Sequence, residues 1–197
     1  MEYAFQVRRD ASVARIKCGD PYAKEGSMLT ADERETFALQ VMEEVRRWPG
    51  VEMRPHASPH EAGASDGVEF RLSGRQIGHV HSDCGVHLLL TKALKTSIVR
   101  EDLAEPLTLA PRSAWVMYNP TRIEHAIHAI WLLRLNYVRL RRQRLTPLAA
   151  ASSPLLQKHV AALGAMSSSL SMLLQQTQLR RTPRPLPSLE VQSEATA

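Results

Sequence analysis

Three histidines and an aspartate lie close together in the middle of the chain, and their types and spacing could do chemistry. His79 and His81 belong to a predicted strand over residues 75–81. Alternate residues of a strand face the same side, about 7 Å apart. Asp83 would join them if the strand continued, and His87 follows in the next apolar segment. Imidazoles and a carboxylate on one face can bind a metal, move protons, or simply hydrogen-bond within the sheet.

The residues alone leave these three interpretations open. In the first, His79, His81 and His87 bind a divalent metal, and Asp83 is a further ligand or orients one. In the second, a neutral histidine removes a proton from an acidic hydroxyl, for which its ordinary pKa of about 6.5 is suitable. Asp83 or Glu69 would then fix the tautomer, and the resulting anion could react with dioxygen. In the third, the protein binds a ligand or partner without catalysis.

Two arginines and a tryptophan are candidates for substrate binding. Arg54 and Arg71 lie on adjacent predicted strands and would hold an anionic group, although surface ion pairs explain them equally well. Trp115 would line a cavity for a planar ligand, or serve the core. The sequence has no phosphate-binding glycine loop, nucleophile elbow or dinucleotide fingerprint, which disfavours kinases, hydrolases and dehydrogenases.

The helices and strands predicted around these residues indicate an α+β fold. We expect a single antiparallel sheet of about four to five strands, packed with an N-terminal helix, a mid-chain helix and a long C-terminal helix. Thr30 and Glu33 form a capping box that begins the first helix. The Ser73-Gly74 pair between two apolar segments predicts a hairpin.

The predicted organisation is one domain with extensions. We expect an N-terminal extension over residues 1–28, the α+β domain over 29–146, a possible helical extension over 147–180 and a disordered, proline-containing tail over 181–197. Only two cysteines occur, without a C-x-x-C motif, and no apolar run is long enough to span a bilayer. These features predict a cytoplasmic protein.

The formal net charge of +5 suggests an alternative function, in which the protein binds a partner without catalysis. Much of the charge lies near the end of the long helix, where arginines complement the helix dipole. Aromatic residues make up only 5% of the chain, which argues against nucleic acid as a partner. The alternative is a non-catalytic binding module whose basic helix end and C-terminal tail contact a partner.

Four segments carry a family resemblance. They are residues 68–71, 75–81, 83–88 and 115–120, which read VEFR, RQIGHVH, DCGVHL and WVMYNP. In this order and spacing they resemble the luciferase-domain family, which comprises bacterial proteins without assigned activity and, distantly, the fungal luciferase. The resemblance spans roughly residues 34–140.

The resemblance implies a luciferase-like domain whose polar cluster corresponds to His79, His81, Asp83 and His87, with Glu69 as the acidic residue of the preceding strand. It implies a small-molecule ligand, such as a hydroxylated aromatic or a pyrone. The implied activity is that of a cofactor-independent oxygenase or another proton-transfer enzyme, with a divalent metal as the alternative. The chain departs from the family where many relatives carry a further histidine, since Glu105-Pro106-Leu107 contains none.

Overall fold

The computed structural model describes residues 29–58 and 63–176. The predicted extension over residues 1–28 and the predicted tail over 181–197 lie outside the described residues. Among the helices of the described part, none has the length and apolar character that crossing a membrane requires.

The described chain forms one antiparallel sheet with helices packed against it. In chain order the elements are α1 (Ala31–Arg46), β1 (Val51–Ala57), β2 (Ser65–Leu72), β3 (Arg75–Val80), β4 (Val86–Leu89), α2 (Lys92–Arg100), β5 (Glu105–Pro106), β6 (Trp115–Tyr118), a 3₁₀ turn (Ile123–His125), α3 (Ala126–Arg142), α4 (Pro147–Ala151), α5 (Pro154–Ala161) and α6 (Ser168–Gln176). The strands lie in the order β1-β2-β3-β4-β6-β5, which confirms the predicted α+β fold with a single antiparallel sheet. Strand β5, at the edge of the sheet, has only two residues.

Helix α1 begins at the predicted capping box. The Thr30 backbone amide donates to the Glu33 carboxylate at 2.8 Å, and the Glu33 amide donates to the Thr30 hydroxyl at 3.3 Å. Two amides that the helix itself cannot pair are therefore satisfied. Phe37, Val41 and Val45 recur at helical spacing and are fully buried against the rest of the core.

Helix α3 packs so closely on the sheet that β3 needs a glycine. A Cβ atom on Gly78 would lie 2.7 Å from Cδ2 of Leu133. The buried Asn136 amide donates to the Ile77 carbonyl at 2.5 Å and to the Leu89 carbonyl at 3.3 Å, which ties the helix to β3 and to β4. Because Gly78 faces the helix, the next residue, His79, faces the other side of the sheet.

The segment predicted as a helical extension packs on the domain as three short helices. Helix α5 contacts α3, and α6 contacts α2. Leu156, Leu163 and Leu170 are at most 3% exposed and belong to the same core as the sheet. The Trp131 indole of α3 donates to the Leu163 carbonyl at 2.8 Å. Burial of these leucines makes residues 147–176 part of the folded core.

Candidate functional site

One row of side chains crosses the face of the sheet that points away from α3. Glu69 of β2 lies opposite His79 of β3, His79 lies opposite His87 of β4, and His87 lies opposite Met117 of β6. His81 follows the end of β3, two residues beyond His79, on the same face. Strand parity and register together therefore bring the three predicted histidines into one cluster.

Three ring nitrogens of this cluster lie within hydrogen-bond distance of one another. Nε2 of His79 is 3.1 Å from Nε2 of His81 and 3.2 Å from Nδ1 of His87, and the last two atoms are 3.1 Å apart. The ring planes meet at 67° to 80°. We call this arrangement the imidazole triangle. The three nitrogens lie close together, and the three rings point away from them in different directions.

Asp66 holds one corner of the triangle. Its Oδ2 accepts a hydrogen bond from Nδ1 of His81 at 2.7 Å, and its Oδ1 accepts from the Ser82 hydroxyl at 2.6 Å. Partial burial opposes ionisation of Asp66, but the hydrogen bonds from Ser82 and His81 prevail and lower its pKa to about 2. A carboxylate on Nδ1 keeps the hydrogen there, so Nε2 of His81 presents a lone pair to the triangle.

Gly67 makes the approach of Asp66 possible. Its φ of 101° favours glycine, and a Cβ atom at this position would lie 1.9 Å from the Val80 carbonyl oxygen. The start of β2 therefore passes almost against the end of β3, beside His81. Asp66 is not among the site residues predicted from the sequence. The glycine that directly follows this carboxylate was the available signal.

Gln76 contacts a second histidine of the triangle, His79, because of a β-bulge. Phe70 lies opposite Gly78 but Arg71 lies opposite Gln76, so Ile77 is an extra residue on β3. The bulge breaks the simple alternation of faces and brings the Gln76 amide within 2.8 Å of Nδ1 of His79. Parity alone would place Gln76 on the face opposite His79, and the sequence analysis gave it no role.

A fourth histidine lies beside the triangle. The His56 ring stacks on that of His79, with centroids 3.8 Å apart and planes 13° apart. Ligating atoms of His56, His79 and His81 lie within 4.8 Å of one another. Nδ1 of His56 is 4.0 Å from the Glu69 carboxylate, which also pairs with Arg71. His56 and Glu69 thus form a second imidazole–carboxylate pair next to the first.

Burial opposes the charged forms of two histidines of the triangle, His79 and His87. Burial, together with the neighbouring imidazoles, lowers the pKa of His79 to about 2 and that of His87 to about 4. Burial and His81 also lower the pKa of His56, although Glu69 and Asp66 act in the opposite direction. A charged imidazole would lose hydration here and repel the other rings. His79 and His87 are therefore neutral nitrogen donors at neutral pH.

The remaining predicted site residues divide into near and distant ones. Trp115 lies beside the cluster, with its ring centroid 5.6 Å from that of His79. Arg71 reaches the cluster only through its ion pair with Glu69. Arg54 is exposed and pairs with Glu52 at 2.9 Å. Asp83 is not brought into the triangle, because the chain turns after β3 and the Asp83 carboxylate accepts from the Gly85 amide at 2.9 Å.

The arginines at the end of α3 serve the interior of the domain. Arg139 is 4% exposed and donates to the Asn136 side chain at 2.6 Å and to the Leu89 carbonyl at 3.1 Å. Arg134 pairs with Glu44 at 2.6 Å, and Arg141 donates to the Pro49 carbonyl. These guanidinium groups are already occupied, so the helix end offers less free charge to a partner than its sequence suggests.

Comparison with known proteins adds one match. Residues 74–136 match the family model of the Luciferase domain. No curated protein and no solved structure shows significant similarity to the chain. The matched segment includes His79, His81 and His87, whereas His56 and Asp66 precede it. The match confirms, for this segment, the resemblance predicted from the sequence.

Proposed function

We propose that this domain is an enzyme that acts on a small hydroxylated organic molecule at the imidazole triangle. The reaction is an oxygenation or another reaction that begins with proton removal from the hydroxyl group. The observation that carries the proposal is the convergence of three imidazoles, whose nitrogens lie 3.1–3.2 Å apart, on one face of the sheet. Packing alone does not require such a concentration of buried polar rings, because each one costs desolvation free energy.

Different roles suit the histidines inside and outside the triangle. An imidazole with a pKa of about 2, such as His79, is a weak proton acceptor at neutral pH. We assign the triangle to binding the substrate oxygen. We assign proton removal to His56, whose ring lies outside the triangle beside the Glu69 carboxylate. A carboxylate orients such a ring and stabilises the imidazolium ion that forms when it accepts a proton.

The neighbours of the triangle suggest which substrates to test. Trp115 provides an aromatic surface beside His79, which suits a planar ring. Removal of a proton from a phenolic or enolic hydroxyl gives an electron-rich anion that can react with dioxygen. The match to the Luciferase domain supports oxygenation among the possible outcomes. Hydroxylated aromatics and pyrones are therefore the first compounds to test.

A ligand screen with purified protein tests this function. Hydroxylated aromatics and pyrones are added to the wild type, His56→Gln and His79→Gln, and thermal stabilisation is measured, because a ligand that binds the native state raises its melting temperature. Any stabilising compound is then incubated with the protein while oxygen consumption and product mass are followed. We expect both variants to lose turnover and His125→Gln, outside the cluster, to keep it. Wild-type turnover by both His56→Gln and His79→Gln would remove the site from the reaction.

A further inference from the structure

We propose that His79, His81 and His87 together bind one divalent transition-metal ion, with the remaining coordination positions open to oxygen atoms of a small molecule. The inference deepens the proposed function at the same site and rests on it for the nature of the bound molecule. Binding of the ion itself depends only on the geometry of the three rings.

The distances fit one ion shared by three nitrogens. Histidine nitrogens bind zinc at about 2.0–2.1 Å, so two ligands are about 3.3 Å apart in a tetrahedral site, and about 2.9 Å apart at right angles in an octahedral one. The observed separations of 3.1, 3.1 and 3.2 Å lie between these limits. The three nitrogens occupy one triangular face of either polyhedron, which leaves the opposite side free.

Hydrogen bonding among the rings alone accounts poorly for so small a triangle. Once Asp66 holds the hydrogen on Nδ1 of His81, at most two N–H groups remain for three close nitrogen pairs. The Gln76 amide nitrogen lies 2.8 Å from Nδ1 of His79 and donates to it, so the His79 hydrogen lies on Nε2. At least one of the three close pairs therefore has no hydrogen bond between its two nitrogens. A cation at the centre, with the His79 hydrogen moved to Nδ1, gives three favourable contacts instead.

The groups behind the rings resemble the outer shell of a metal site. A histidine ligand commonly donates its other N–H to a carboxylate or an amide oxygen, which fixes the tautomer and raises the donor strength of the ligating nitrogen. Asp66 provides such a partner for His81. The Gln76 amide nitrogen lies 2.8 Å from Nδ1 of His79, so Gln76 becomes such a partner when its amide rotates to present the oxygen. Both partners reach the cluster through special backbone features, the Gly67 close approach and the Ile77 bulge.

His56 is a neighbour of the ion rather than a ligand. A metal lies near the plane of each imidazole that binds it. Because the His56 ring is stacked face to face on His79, an ion in the plane of His79 lies well outside the plane of His56. His56 therefore keeps its lone pair, which agrees with its assignment as proton acceptor.

The donor set selects the class of metal. Three neutral imidazoles favour ions of intermediate softness, such as Fe²⁺, Co²⁺, Ni²⁺, Cu²⁺ and Zn²⁺, over Mg²⁺ and Ca²⁺, which prefer oxygen ligands. The nearby Cys84 thiol is fully buried and donates to the Arg34 carbonyl at 3.2 Å, so it does not compete as a ligand. The ion would retain its full charge and attract a phenolate or enolate oxygen.

Cobalt titration of the full chain tests the inference. Protein freed of metal by chelation is titrated with Co²⁺ and Zn²⁺, while the visible Co²⁺ spectrum and calorimetric stoichiometry are recorded. We expect one ion per chain and visible bands of four- to six-coordinate Co²⁺. His79→Ala and His87→Ala should weaken binding at least 100-fold, and Asp66→Asn about 10- to 100-fold. His56→Gln should bind within about threefold of the wild type.

Two outcomes overturn the metal site. One is a folded wild-type protein that binds neither ion. This outcome does not depend on whether any variant folds. The other is His56→Gln losing binding while His87→Ala keeps it. The proposed function fails separately. If the ion binds as expected but no small molecule is turned over, the enzymatic function is contradicted and the metal site is kept. If the chelated protein keeps full turnover, the enzymatic function is kept and the ion has no part in the reaction.

Discussion

Asp66 and His81 are 15 residues apart in sequence and are joined by a 2.7 Å hydrogen bond between Oδ2 and Nδ1. The carboxylate that serves the cluster is therefore Asp66 of β2, while Asp83 takes part in the turn after β3. Asp66→Asn should lower the free energy of unfolding at pH 7 by about 1–2 kcal/mol, because a charge-assisted hydrogen bond is replaced by a neutral one. It should also change the His81 tautomer, measured as a shift of the ring ¹⁵N resonances.

Asp83→Asn is the matched control for that change. The amide oxygen of asparagine can still accept from the Gly85 backbone amide, so we expect an unchanged His81 spectrum and a change in stability below about 0.5 kcal/mol. A His81 spectrum that responds to Asp83→Asn and ignores Asp66→Asn would contradict the assignment.

Gly67 and Gly63 form a pair in which one glycine is spatially required and the other is not. Both have positive φ, 101° and 84°, but a Cβ atom on Gly67 would lie 1.9 Å from the Val80 carbonyl oxygen, whereas nothing lies within 4 Å of one on Gly63. We expect Gly63→Ala to cost about 1 kcal/mol for backbone strain. Gly67→Ala should cost at least about 3 kcal/mol, because strands β2 and β3 must separate. Denaturant unfolding measures both, and equal losses would show that the close approach is unimportant.

The low pKa values of His79 and His87 predict a loss of stability in acid for the metal-free protein. Their folded pKa values of about 2 and about 4 lie below the unfolded value of about 6.5, so the unfolded chain binds more protons between these limits. The stabilising effect is present above pH 6.5 and is lost progressively as the pH falls, down to about 4 for His87 and about 2 for His79. Each excluded proton contributes about 1.4 kcal/mol per pH unit.

Unfolding measured from pH 7.5 to pH 4.5, with a chelator present, checks this dependence. His79→Gln should reduce the slope, because glutamine does not titrate, whereas His125→Gln outside the cluster should keep it. A wild-type protein equally stable at both ends of the range would show that the cluster accepts protons freely.

The leucines of α6 test whether residues 147–176 belong to the folded core. Leu170 is 1% exposed, and Met172, two residues later on the same helix, is 53% exposed. Leu170→Ala should lower the free energy of unfolding by about 2–4 kcal/mol through lost burial and a residual cavity. Met172→Ala should change it by less than about 0.5 kcal/mol. If both substitutions change the free energy of unfolding by similarly small amounts, residues 147–176 pack only loosely on the domain.

The sequence predicted the part of the site that follows from regular strand geometry. Alternation along β3 places His79 and His81 on one face, and antiparallel register adds Glu69 and His87. Asp83 would join them on this face only if β3 continued, and the strand does not reach it. The strand ends at Val80, and the chain turns through Cys84, whose φ of 76° is rare for a residue with a side chain.

The residues that sequence reasoning missed depend on local departures from regular geometry. Gln76 reaches His79 through the extra residue at Ile77, and a bulge leaves no clear mark in a pattern of polar and apolar residues. Asp66 reaches His81 because of a contact between backbones that are far apart in sequence. Spacing along the chain indicates what one strand presents, but not how closely the next strand approaches it.

The consecutive hairpins β1 to β4 have a consequence for how the site assembles. They supply His56, Asp66, His79, His81 and His87 from neighbouring parts of the chain, and each strand pairs with the one before it. Contacts between nearby residues close small loops and form rapidly, whereas the pairing of β4 with β6 must enclose α2 and β5 first. We therefore expect the imidazoles to come together early in folding, before the far edge of the sheet is complete, so that an ion available at that stage could act as a nucleus for the rest of the domain.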